Sequence, residues 1–97
     1  MGNYNLSKAA ENDLRALYRY GVLTFGLAMA NKYYDGLIER FEDIAEQPRL
    51  YQAVDTIRPD YRRSVFGVHS LYYRETPEGV TIVRILRSQN PKEALPD

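Results

Sequence analysis

From Ser7 onward, apolar side chains recur every three or four positions. Ala10, Leu14, Leu17, Gly21 and Phe25 fall on one stripe, with Tyr18 beside it. That spacing predicts an amphipathic helix. The Ser7 hydroxyl can accept from the first free amides, which makes it the N-cap, and Glu11 and Asp13 sit early, where the helix dipole favours carboxylates. A glycine at position 21 costs a helix about 1 kcal/mol relative to alanine; close approach of a second helix would offset it. Gly26 ends the first helix or kinks it. The period resumes from Leu27 to Glu46. Ala30, Tyr34, Leu37, Phe41 and Ile44 mark its buried face, Tyr33, Ile38 and Ala45 flank it, and Pro48 stops it. Helices joined by almost nothing form an antiparallel hairpin.

Residues 47–59 read as a connector rich in proline and polar groups. Beyond it the apolar period falls from about 3.6 to 2. Residues 61–66 are one strand, Gly67-Val68 a tight turn, and residues 69–74 the next strand. Thr76-Pro77-Glu78-Gly79 has turn chemistry, with proline second and glycine fourth. Residues 80–86 form the last and most hydrophobic strand. Tyr4-Asn5-Leu6 adds a short strand at the start. The tail, residues 89–97, holds Pro91 and Pro96 and is expected to be irregular or mobile, and loss of everything after Leu86 should spare the fold. The order β-α-α-β-β-β predicts an α+β fold, one domain over residues 1–97. Its helix hairpin packs on one face of a small, mainly antiparallel sheet.

At 97 residues the domain is small enough for its stability to be marginal without a partner. There is no cysteine, which excludes disulfides and thiolate metal sites and fits a cytoplasmic location. No apolar run approaches the roughly 20 residues of a membrane span, and the first residues lack the pattern of a secretory signal. The 13 basic and 13 acidic residues balance, which argues against strong direct nucleic-acid binding driven by counterion release. They are unevenly spread. Residues 49–97 carry eight basic against six acidic residues, and seven of the eight cations are arginine. Arginine offers a planar fork for carboxylate or phosphate.

Several words of the chain, in order, resemble the ParE toxins of the RelE/ParE superfamily. They begin with Leu6-Ser7, Ala10, Asp13-Leu14 and Phe25-Gly26, then the spaced Tyr34, Leu37 and Phe41, then Ala45 and Pro48. The longest block is Ile57-Arg58-Pro59-Asp60-Tyr61-Arg62-Arg63, followed by Gly67-Val68-His69, Tyr72-Tyr73-Arg74 and Ile82-Val83-Arg84-Ile85-Leu86. The resemblance implies the β-α-α-β-β-β fold and a cognate ParD-like antitoxin that wraps the toxin. It also implies inhibition of DNA gyrase. The related RelE branch instead cleaves mRNA in the ribosome. The chain departs from the family pattern at Val68, where serine is common, and at Arg87-Ser88-Gln89-Asn90, where a histidine and then Met-Asp are common.

Candidate chemistry is sparse. Arg84 is expected on the same strand face as Ile82 and Leu86, where a charge needs a partner. It is either a structural ion pair or a groove arginine kept for target contact; the resemblance matches it to a catalytic arginine of the RelE branch. Arg62, Arg74, Arg84 and Arg87 are the candidate target-binding cations. Tyr33, Tyr34, Arg63 and Tyr72 are the candidate antitoxin-binding residues, since amphipathic rings and strand-face arginines suit an interface. RNA cleavage would need a base and an acid near those cations, and only His69 and Tyr73, with Arg84, could serve. His69 is the one histidine, and its commoner role beside a turn is structural. No metal site can be built from one histidine, no cysteine and no carboxylate pair at ligand spacing, and no cofactor is implied. The sheet reads better as a binding surface than as a catalytic one. The expected function is a non-enzymatic toxin that binds gyrase and traps cleaved DNA. The alternatives are a ribosome-dependent mRNA endonuclease and a toxin fold that keeps only antitoxin binding.

Overall fold

The computed structural model describes residues 2–96. Strand β1 spans Asn3–Leu6 and leads into helix α1, Lys8–Phe25. The Ser7 hydroxyl caps α1 by accepting from the Ala10 amide at 3.0 Å. Gly26, at φ 90°, turns the chain at once into helix α2, Leu27–Glu46. The two helices approach closely at Gly21, where an added Cβ would lie 3.4 Å from the Ala30 Cβ. That proximity accounts for a glycine inside a helix.

After α2 come β2 (Gln52–Ala53), β3 (Arg62–Phe66), β4 (His69–Thr76), β5 (Gly79–Leu86) and a one-turn helix α3 (Pro91–Ala94). The sheet order is β1-β5-β4-β3-β2. β2 to β5 pair antiparallel, and β1 lies parallel to β5, Asn3 beside Gly79 and Leu6 beside Ile82. The connector after Pro48 therefore contains a strand that its composition hides. β2 is only two residues, both exposed, and has no alternation to read.

Both helices cover one face of the sheet. Leu37, Phe41 and Ile44 of α2, all fully buried, pack with Ala10 and Leu14 of α1 and with Leu71, Tyr73, Val80, Ile82 and Ile85 of the sheet. Burial of such side chains contributes roughly 1.5–3 kcal/mol each. Phe25, placed on the buried stripe by periodicity, is instead 65% exposed. It sits at the hairpin tip, where it meets the Tyr20 ring edge-on instead of joining the core.

A bulge in β5 overturns the expected placement of Arg84. Tyr73 pairs with Ile82 and Tyr72 with Arg84, so Val83 is an extra residue on β5. Alternation is broken there. Ile82 and Ile85 join the helix-side core, whereas Val83 and Leu86 join a second cluster on the opposite face with Val54, Tyr61 and Tyr72. Ile82 and Leu86 thus lie on opposite faces.

The tail is also not irregular throughout. Asn90 caps α3 by accepting from the Lys92 amide, with Pro91 at its first position, and Leu95 is buried in the second cluster. The expectation that residues after Leu86 are dispensable missed this packing. One apolar residue among prolines and charges gives no period to detect.

Candidate functional site

β1 accompanies β5 only as far as Ile82. Beyond that point no strand of the described residues lies beside the edge of β5, and Ser7 and α1 supply its hydrogen bonds. The Ser7 hydroxyl donates to the Val83 carbonyl at 2.7 Å, and the Ile85 amide donates to Asp13 Oδ2 at 3.0 Å. Asp13 also takes a two-point bond from Arg84, Nε to Oδ2 at 2.7 Å and Nη2 to Oδ1 at 2.9 Å. Both side chains are largely shielded, and the hydrogen bond to Asp13 raises the Arg84 pKa above its usual value. The third donor, Nη1, reaches the Ala94 carbonyl at 3.2 Å. Arg84 is a structural ion pair. Asp13 was legible only as an early acidic residue of a helix; nothing local tied it to a strand 71 residues later.

Beside Asp13 a groove of about 470 Å³ opens between the hairpin and the ends of β4 and β5. Leu17, Tyr20, Gly21, Phe25, Met29, Tyr33, Val68 and Ile85 give it mainly apolar walls. The hairpin tip continues them outward, with Leu23 81% exposed and Leu27 and Met29 each more than half exposed. An exposed apolar cluster of this kind marks an interaction surface. The sequence carried the sign: apolar residues crowd positions 22, 23, 25, 27 and 29 on both sides of Gly26.

Its polar lining includes Asp13, His69, Arg87 and Gln89. His69 begins β4, and its Nδ1 lies 2.7 Å from the Tyr33 hydroxyl, which donates to the Phe66 carbonyl at 3.0 Å. A hydroxyl has one proton, so it serves either the Phe66 carbonyl or Nδ1, and the His69 tautomer sets which. Burial, then the charge of Arg87, hold the His69 pKa below its usual 6.5. Gly67, at φ 57°, makes the turn, and a Cβ there would strike the Tyr33 hydroxyl at 2.7 Å. Arg87 is exposed and lies over the Tyr20 ring, 6.0 Å from its centre.

The remaining predicted residues are scattered. Tyr73 is fully buried, its hydroxyl donates to the Pro48 carbonyl, and burial pushes its pKa up to about 12. It stands four residues from His69 on the same strand, about 13 Å at 3.3 Å per residue. His69, Tyr73 and Arg84 therefore do not converge on one reacting atom. Arg62 donates to the Tyr51 carbonyl at 2.8 Å and shares a polar groove with Arg49, Arg74 and Glu75. Arg74 is exposed there. Arg84 and Arg87 lie elsewhere, so the four arginines form no single site. Tyr33 and Tyr34 belong to the helix side, and Tyr34 meets the Tyr18 ring edge-on. Arg63 and Tyr72 pair across β3 and β4. Tyr72 is buried in the opposite cluster, with the Arg63 guanidinium 3.4 Å from its hydroxyl.

Sequence reasoning missed Arg40. It donates to the buried Ser64 hydroxyl and to the Val65 carbonyl, both at 2.8 Å, and stacks over Tyr51 and Phe66. It holds α2 to β3. Among the described residues no group of three or more His, Cys, Asp or Glu could hold a metal ion, and no helix is long and apolar enough to cross a membrane.

Residues 4–91 match the family model described as the ParE toxin of the type II toxin–antitoxin system parDE. The chain is 36% identical over 87 residues to Toxin ParE1 of Mycobacterium tuberculosis, covering 89% of each chain. It is 34% identical over 96 residues to Toxin ParE1 of Caulobacter vibrioides, covering 98% of this chain and 99% of that one. Its fold also matches a chain of the chromosomal ParDE TA system from P. aeruginosa, with a TM-score of 0.78, 21% identity, and coverage of 92% of this chain and 98% of the other. The α+β architecture and these similarities agree: the chain belongs to the ParE toxin family of type II toxin–antitoxin systems.

Proposed function

We propose that this protein is a non-enzymatic toxin that binds DNA gyrase and traps its cleaved-DNA intermediate. A ParD-like antitoxin neutralises it by filling the groove between the hairpin and the sheet. The observation that carries this reading is the open apolar groove with its exposed tip, Leu23, Phe25, Leu27 and Met29. Such a surface suits the apolar face of an amphipathic segment. Arg87 lies in the groove wall and Arg74 is exposed elsewhere on the sheet. We assign both to target contact. An antitoxin seated in the groove would then mask Arg87 directly.

The dispersal of His69, Tyr73 and Arg84 supports the non-enzymatic reading. Phosphate cleavage needs a base, an acid and cations around one phosphate. Here the tyrosine is buried and the arginine is neutralised by Asp13.

The test is supercoiling of relaxed plasmid by purified gyrase, with and without the protein, reading inhibition and linearised DNA together. Inhibition with trapped cleavage is expected, and Arg87→Ala should weaken it. No effect from folded protein at large excess overturns the gyrase reading. Cleavage of mRNA on translating ribosomes that depends on His69 or Arg84 would establish the endonuclease instead.

A further inference from the structure

Helix α3 has four residues, too few to be stable by its own hydrogen bonds. What seats it is side-chain chemistry from the rest of the fold. Leu95, 3% exposed, fills the cluster of Tyr61, Tyr72, Val83 and Leu86 on the sheet face away from the hairpin. Three carbonyls of this segment accept from side chains. The Lys92 oxygen accepts from Arg58 Nη2, the Ala94 oxygen from Arg84 Nη1, and the Pro96 oxygen from the Tyr61 hydroxyl. The segment is held at its rim by three side-chain donors and at its centre by one leucine.

One of these donors belongs to two systems. Arg84 spends Nε and Nη2 on Asp13, and only then presents Nη1 to Ala94. Asp13 lines the apolar groove on the helix side. Arg87 and Gln89 line the same groove, and Gln89 folds back so that its side-chain oxygen accepts from the Arg87 and Ser88 amides. Asn90, the next residue, is the α3 cap. A covalent path and a hydrogen-bonded path therefore run from the groove to α3.

We propose that residues 91–96 form a latch over the back face of the sheet, and that the Asp13–Arg84 pair holds it shut and couples it to the groove. Asp13 fixes the guanidinium in the one orientation that leaves Nη1 on Ala94. Without that carboxylate the arginine has no counter-charge in a largely shielded site, and it turns to solvent. The Ala94 carbonyl then loses its donor. Lifting the latch uncovers Tyr72, Val83 and Leu86 and releases donors of Arg58 and Arg84. The coupling stands on the chain's own contacts and does not depend on what fills the groove.

Because the chain has no cysteine, Leu95→Cys places a single thiol on the buried side of the latch. Its alkylation rate reads latch opening, and Leu37→Cys, in the helix-side core, reads global opening. Asp13→Asn should speed labelling at position 95 by at least tenfold more than it speeds labelling at 37. Arg84→Lys keeps the charge opposite Asp13 but lacks the fork, so it should also speed labelling at 95. Glu11→Gln, which touches only the exposed pair with Arg15, should change neither rate. If Asp13→Asn opens both positions together, Arg84→Lys decides. Unchanged labelling at 95 in Arg84→Lys, or equal acceleration at 37, overturns the latch.

Discussion

The Arg84 guanidinium clasps both oxygens of Asp13, at 2.7 and 2.9 Å, across 71 residues of sequence. The same carboxylate accepts from the Ile85 amide. This side chain, together with the Ser7 hydroxyl at Val83, closes the open edge of β5, and it neutralises the charged group at the bulge. Removing one partner of a shielded pair strands the other. Asp13→Ala and Arg84→Ala should each cost about 3 kcal/mol. The double variant should cost clearly less than their sum. Urea unfolding of the four proteins in the cycle measures this, and simple additivity would show that the pair is not energetically linked.

Leu95 links the tail to the sheet as no local pattern announced. Leu95→Ala should destabilise the fold by about 3 kcal/mol, as expected for truncation of a buried leucine. Loss of all residues after Leu86 should cost at least as much, because it also bares Tyr72 and Val83. Thermal melting of the two variants checks this. An unshifted transition would mean the segment adds nothing to the fold.

Tyr73 gives the protein an alkaline limit. Its pKa rises from 10.0 to about 12, chiefly through burial. A group with a raised folded pKa contributes stability that is fully present below pH 10. That contribution is lost as pH rises through 12, because only the unfolded chain ionises between them. Tyr73→Phe should remove this part of the alkaline dependence. At neutral pH it should cost about 1 kcal/mol, for the hydroxyl bond to Pro48. Denaturation midpoints at pH 8 and 11 separate the two effects.

His69 acts in the opposite direction. Burial and the nearby Arg87 lower its pKa. The unfolded chain therefore takes up the proton first, and stability falls as pH drops below 6.5 toward the folded value. His69→Gln should make the midpoints at pH 7 and pH 5 more alike than in the parent protein. A parent and variant with the same acid dependence would place the sensitivity elsewhere.

The helix stripe carries the simplest test of the fold. Leu37 and Phe41 are fully buried, so Leu37→Asp or Phe41→Asp leaves a carboxylate without a partner in the core. Each should cost more than 4 kcal/mol and abolish the cooperative melt seen by circular dichroism.

The sequence by itself determined the elements whose residues repeat. The stripe through Ala30, Leu37, Phe41 and Ile44 set α2, and Ser7 set the start of α1. Gly26 set the hairpin, and Gly67-Val68 and Pro77-Glu78 set the strand turns. These are local properties of capping, backbone freedom and periodic burial. The tertiary structure decided everything that depends on residues far apart. It placed β1 parallel beside β5, inserted the bulge that separates Ile82 from Leu86, and seated Leu95 on the back face. It dispersed His69, Tyr73 and Arg84. It also gave Arg84 to Asp13, because the ordering of a strand edge leaves donors that only a neighbouring element can satisfy.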